Sequence, residues 1–494
     1  MSARKFLPLF SVAVSLTILA GCGGNNQSAG LPQGNFTNAN LNGSYAFAVT
    51  GTNRGGFFTM AGSLAANGSG MITSGTVDIN SPGTVGVVQN VAVTGTYIVH
   101  ADGRGTANLT GAGLPNTITL DFVLLSNQHG AVIRFDSNAT ASGSLDLQSS
   151  SAFNLASFNG NFVFNISGVD SGRAPEASTG VFTLDTLGNL TAGVQDTSDN
   201  GTVTPNDTLT APAAAMTAPS NSNGRGTLTI SSAAFPTTRQ FVFYVVDANT
   251  IRMIAINLPA LAGDAFRQGS TSISGSFAFT TSGANGTAPF AEGGILNTDG
   301  AGIVQNSSVE DVNNGGSISP PGGVTLSGTY AVAVNGRGTL NLNSGSINFA
   351  IYPSTAGIQM LEIDNNTVIS GAAFQQSGSF SNSTISGRYG ANITGVVSNG
   401  ITTSEFDAVY QLTADGAGNL RGAQDINFSG TITTNLAVRG TAPLAADGRS
   451  SSTGTLDTSA GSLNVIYYAV SNSRILFIEV DNNAVAVGAF SQQQ

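Results

Sequence analysis

An aspartate returns four times at the same place in a repeating pattern, as Asp78, Asp196, Asp311 and Asp425. Asn80, Asp199, Asn313 and Asn427 follow two or three residues later. Calcium takes six to eight oxygen ligands, and an acid and an amide at the start of a loop could supply some of them. These four positions are therefore candidate calcium ligands, although no full calcium loop with its Gly and closing Glu accompanies them. Asp and Asn also make side-chain turns at strand ends with no metal at all. An arginine recurs just as regularly, each time after a turn glycine: Arg104, Arg225, Arg337 and Arg449. One cation per copy among many acids makes a poor anion site, so a structural ion pair is expected, with an acid late in the same copy. Asp136 would serve Arg104, Glu362 or Asp364 would serve Arg337, and Glu479 or Asp481 would serve Arg449. An exposed pair of this kind contributes ~1 kcal/mol or less, and a partly buried bidentate one more.

Catalytic chemistry has little to work with. His100 and His129 are the only histidines and both fall in the first copy, so no histidine site can repeat. There is no Gly-x-Ser-x-Gly elbow, paired-cysteine metal spacing, phosphate loop or dinucleotide fingerprint. Carboxylate pairs could cleave glycosides, but the acids sit mostly at turns and no pair stands out. A non-enzyme is expected.

The balance of charge narrows the partners further. Sixteen basic residues face 27 acidic ones, for a net charge of −11. No basic stripe is available for phosphates, which argues against nucleic acid. Charged residues make up 9% of the chain and apolar ones 40%, so Gly, Ser, Thr and Asn must cover much of the surface. That composition suits an all-β protein with many turns.

Positioning these residues falls to a unit present four times. Each copy opens on Gly-x-aromatic, at Gly43-Ser44-Tyr45, Gly160-Asn161-Phe162, Gly275-Ser276-Phe277 and Gly387-Arg388-Tyr389. The recurring Asp, then the Gly-Arg pair, then a closing Gly-to-Gln stretch follow in the same order. A period of about 110 residues suffices for a domain with its own core, so four beads are expected rather than a solenoid. The proposed divisions are a signal peptide over 1–21, a flexible tether over 22–40, and repeats over 41–148, 158–268, 273–376 and 385–494. Within the first repeat, alternating runs predict strands at Tyr45–Thr50, Phe57–Ala65, Met71–Ile79, Val91–His100, Thr106–Thr110, Ile118–Ser126, Ala131–Phe135 and Ser144–Leu147. Asn67-Gly68 and Asp102-Gly103 accept the positive φ of hairpin turns, so the runs they separate should pair antiparallel. Closing such a meander into an eight-stranded barrel removes both edges. A sandwich is the alternative, because Asn80 to Asn90 and Ser198 to Pro219 are long enough to cross over.

The N-terminus carries a further signal. Arg4 and Lys5 precede an apolar run from Phe6 to Ile18, too short to span a bilayer, and Leu19-Ala20-Gly21-Cys22 follows. That ending resembles the lipobox of bacterial lipoproteins, which implies cleavage before Cys22, the only cysteine, and acylation of its sulfur. Two acyl chains hold a protein stably to a bilayer. Gly23 rather than Asp comes next, so the resemblance implies the outer membrane, with its face left open. The Gly-x-aromatic opening also resembles the first strand of lipocalin- and avidin-like barrels, though no Trp is present. The Asp102-Gly103-Arg104-Gly105-Thr106 segment is similar to repeats of bacterial lipoproteins. Sparse aromatics and the absence of Trp argue against a transmembrane barrel. The expected function is a non-catalytic envelope or surface lipoprotein that presents β modules for scaffolding, adhesion or multivalent binding of a protein, glycan or small molecule. The alternative is a small-molecule carrier with one cavity per barrel. Bulky inward-facing side chains would favour the first, and small or polar ones the second.

Overall fold

The structure is a computed structural model that describes residues 34–235, 238–257, 259–398, 403–459 and 461–494. The signal peptide, Cys22 and most of the tether lie outside these residues.

In barrel one the eight strands are Asn42–Asn53, Gly56–Asn67, Met71–Ser81, Gly86–Val99, Arg104–Thr110, Ile118–Leu124, His129–Asp136 and Ala139–Leu147. Each pairs antiparallel with the next, and the eighth returns to the first with Tyr45 opposite Leu147. Barrel four, from Ser386–Ser398 to Ala484–Gln492, closes in the same way. Barrel two starts at Gly160–Val169 and ends at Ala260–Arg267, with bridges Thr210–Ser231 and Met216–Leu228 completing the circuit. In barrel three, Gly275–Asn285 to Thr367–Gln375, the third strand Ile303–Asn314 pairs on both sides and closes the circle. The connection from Asn80 to Asn90 is a hairpin, with Ser81 opposite Gly86. It carries no crossover, so the sandwich alternative falls.

The interiors are packed with side chains. Tyr45, Phe47, Phe58, Leu109 and Phe122 fill barrel one, and Phe162, Phe164, Phe182, Phe241 and Phe243 fill barrel two. The residual spaces inside barrels one and three hold only about 20 Å³ each. Ligand pockets run to ~300 Å³ or more, so the observation that would have favoured a carrier is missing from these two barrels.

Many strands have apolar residues on both faces, and the second face has a use. Strands one to three of each barrel pack against strands six to eight of the next, and those of barrel four pack against barrel one. The four barrels therefore form a closed ring within one compact unit, Pro32–Gln494. The junctions bury small, branched and aromatic side chains. Ala46, Ala61, Val242 and Ile254 meet between barrels one and two, and Val123, Ile133 and Val409 meet between barrels four and one. The expected string of separate beads is corrected by these surfaces: a strand buried on both faces must have a neighbour on both faces.

Candidate functional site

The four recurring arginines and four recurring aspartates meet, but across barrels. Arg225 of barrel two grips Asp78 of barrel one, Nε to Oδ2 at 2.8 Å and Nη2 to Oδ1 at 2.7 Å. Arg337 of barrel three holds Asp196 of barrel two at 2.8 and 2.6 Å, and Arg449 of barrel four holds Asp311 of barrel three at 2.7 and 2.5 Å. Arg104 of barrel one completes the cycle by donating to Asp425 of barrel four at 2.8 Å. The same-copy partners expected for these arginines are thus replaced by acids of the preceding barrel. Asp136 instead pairs with Arg134.

Local backbone explains the aim on both sides. At the aspartates the ladder slips, between Val77 and Ile79, Gln195 and Thr197, and Gln424 and Ile426. A bulge of this kind leaves a residue unpaired and redirects its side chain. The N–H groups of Asn90, Asn206 and Asn435, all at positive φ, then donate to Asp78, Asp196 and Asp425 at 2.9, 2.9 and 2.6 Å. On the arginine side, Gly103 N–H donates to His100 O and His100 N–H to Arg104 O. This is a three-residue hairpin loop whose last position needs positive φ, and Gly103 has φ 91°.

Three of the aspartates gain a tyrosine that sequence reasoning missed. The hydroxyls of Tyr244, Tyr352 and Tyr468 donate to Asp78, Asp196 and Asp311 at 2.5, 2.5 and 2.8 Å. Burial, with the adjacent carboxylate, pushes all three phenols well above their ordinary pKa, so they remain donors. Val123 occupies the matching place in barrel one, opposite Arg104. There Arg104 recruits Asp102 at 2.8 Å and Asn435 Oδ1 at 2.9 Å. A calcium ion at these aspartates would have to displace a guanidinium, because the oxygens are already shared among charged and neutral donors. Each of these guanidinium–carboxylate pairs joins one barrel to its neighbour.

Two further sets of contacts repeat around the ring. Asn80 Nδ2 donates to Ala255, Asn257 and Pro259 carbonyls, Asn313 to Glu479, Asp481 and Ala484, and Asn427 to Arg134, Asp136 and Ala139. Ser198 Oγ reaches Thr367 O in the same role. The closing glutamines latch onto the next barrel's arginine turn: Gln148 on Asn223 and Val245, Gln376 on Asp447 and Ala469, and Gln493 on Asp102 and Leu124. Gln268 reaches Asn335 at 3.5 Å.

The ring encloses a passage along its axis. A wide chamber of about 990 Å³ is lined by residues of all four barrels. A narrower one of about 480 Å³ adjoins it at Thr50, Ser167, Ser282 and Ser370, which line both. In the wide chamber Arg252 bridges Asp146 at 2.7 Å and Asp264 at 2.5 Å, and His129 Nδ1 lies 2.5 Å from Asp146. Burial opposes ionisation of Asp146, but Arg252 and His129 hold its carboxyl far below the usual range. His100, the other histidine, is exposed. Among the described residues, no group of three or more His, Cys, Asp or Glu is arranged to hold a metal.

No known family profile matches the chain, and no curated protein does. Solved structures that match include two variants of the vaccine antigen transferrin binding protein B from Haemophilus parasuis Hp5. The single-substitution variant is 10% identical with a TM-score of 0.21, covering 74% of this chain and 83% of that one. The double-substitution variant is 11% identical with a TM-score of 0.20, covering 91% and 76%. Overlays this loose carry no argument, and function has to be read from the ring itself.

Proposed function

We propose that this chain is a non-catalytic, lipid-anchored protein of the bacterial cell envelope whose mature part acts as one rigid four-barrel ring for scaffolding or binding. The observation that carries this is the cycle of Arg–Asp clasps, which joins every barrel to the next and the last to the first. Packed interiors in barrels one and three speak against a carrier with one cavity per barrel. Fixed junctions speak against beads that engage partners independently, so any multivalent binding would have the geometry of the ring. The lipobox supports anchoring through Cys22, and among the described residues no helix is long and apolar enough to cross a membrane. An outer-membrane location rests on Gly23 following the cysteine.

The test is metabolic labelling of the full-length chain with tritiated palmitate in a bacterial host, followed by membrane fractionation. Labelling and membrane association should both be lost in Cys22→Ser. Unlabelled wild-type protein, or a Cys22→Ser chain that still sediments with membranes, would overturn the anchor.

A further inference from the structure

The clasps account for four arginines of the ring, and Arg134, Arg239 and Arg252 also have carboxylate partners. Arg474 combines the lack of such a partner with a place on the chamber lining. It begins the seventh strand of barrel four, lines the wide chamber, and lies with its guanidinium carbon 3.8 Å from the centre of the Phe374 ring of barrel three. Among the described residues its side chain has no carboxylate within ion-pair distance. Its surface is open to the passage, yet protein packed densely around it strips enough hydration to pull its pKa down to about 10.

We infer that the wide chamber is a binding site for a small molecule carrying a carboxylate or phosphate, with Arg474 as the anion-recognising group. The aromatic ring occupies one face of the guanidinium, and a planar guanidinium so placed keeps its in-plane N–H fork for a bidentate anion. A volume of about 990 Å³ accommodates a drug-sized ligand. The chamber also holds Asp146 of barrel one and Asp247 and Asp264 of barrel two. Asp146 and Asp264 are occupied by Arg252 and His129, and Asp247 accepts from the Asn249 N–H at 2.7 Å. The other barrels place His129, Thr250 and Gly357 where barrel four has Arg474, so this cation is not part of the repeated framework.

The experiment uses the full-length chain with citrate and inorganic phosphate as separate probes, at ionic strength held constant with sodium chloride. Melting temperature should rise saturably with at least one probe in wild type and in the exposed-site control Arg421→Gln, and stay flat in Arg474→Gln. Which probe acts distinguishes a carboxylate from a phosphate ligand. Phenylglyoxal modification of the wild-type chain, read by peptide mass spectrometry, supplies a test independent of the variant's folding. Arg474 should be labelled, and the active probe should slow its labelling at least about fivefold without slowing that of Arg421. No saturable shift with either probe, an equal shift in Arg474→Gln, or unprotected Arg474 would each overturn the inference. The outcome leaves the lipid anchor untouched, because neither readout depends on Cys22.

Discussion

Removing Arg337 should do more damage than a surface ion pair allows, and the damage should be repaired by neutralising its partner. Asp196 has no exposed surface and takes both arms of the guanidinium, at 2.8 and 2.6 Å, along with Tyr352 and the Asn206 N–H. Arg337→Met strands that carboxylate, at a cost of ~3–5 kcal/mol for a buried pair broken from one side. Asp196→Asn in the wild-type background removes a charged hydrogen bond and costs ~1.5–3 kcal/mol. In the Arg337→Met background the same Asp196→Asn change removes an unpaired buried charge and should restore at least ~1.5 kcal/mol, a reversal of sign that a double-mutant cycle isolates. Urea unfolding followed by far-ultraviolet circular dichroism measures all four proteins. Tyrosine fluorescence provides a second probe, free of interference because the chain has no Trp. If Arg337→Met costs under ~1 kcal/mol, the value of an exposed pair, or if Asp196→Asn lowers stability in both backgrounds, the clasp is not holding the ring.

Other expectations follow from the same geometry. Gly103→Val should lower the melting temperature of the full-length chain. A β-branched side chain at φ 91° costs at least ~1–2 kcal/mol, and its Cβ would stand 2.5 Å from Gln493 Nε2, which closes the ring. An unchanged melt would refute the turn assignment. Stability should also be greater at pH 5 than at pH 8. Burial raises Glu176, Glu362 and Asp407 to about 7 and Glu479 to about 10, each above its unfolded value. The folded state therefore holds protons that the unfolded state releases, and that stabilisation, complete below about pH 4, is lost as pH rises through the folded values. A urea midpoint equal or higher at pH 8 would contradict this.

The strands were legible because alternation and Asx-Gly turns are local signals. All eight runs expected in repeat one lie within or largely overlap the observed strands, and Asp102-Gly103 marks the turn it was assigned. The partners of the arginines were not legible, for a physical reason. An ion pair between Arg225 and Asp78 spans 147 positions and depends on the angle between two domains, which no spacing encodes. Some of the missing information was nonetheless present. Phe241-Val242-Phe243-Tyr244-Val245 is apolar without alternation, the mark of a strand buried on both faces. Read that way, it announces a neighbouring barrel as well as a filled interior. The Asn at positive φ in the loops after Asp78, Asp196 and Asp425 was a similar clue, since αL Asn commonly shapes a bulge or turn. The axial passage had no signature, because its lining comes from all four repeats at once.

Repetition and departure from it divide the labour within the ring. A head-to-tail interface closes only when the rotation it imposes returns the chain to its start, and otherwise builds an open helix. Here every such interface must be nearly alike, and the Asp, the Gly-Arg turn and the closing Gln recur for that reason. The junction between barrels four and one joins elements hundreds of residues apart, with Arg104 to Asp425 spanning 321 positions. It is also where Val123 replaces the clasp tyrosine, and where Asp102 and Asn435 take over the missing contacts. The passage behaves in the opposite manner. His129, Thr250, Gly357 and Arg474 occupy one repeated position with four different chemistries. Positions that hold the ring vary little among the copies, because each must satisfy the same neighbour, whereas this position on the chamber lining differs in every copy. On the proposed reading, the asymmetry of the axis is where a specific binding role would reside, while the repeated clasps hold the barrels around it.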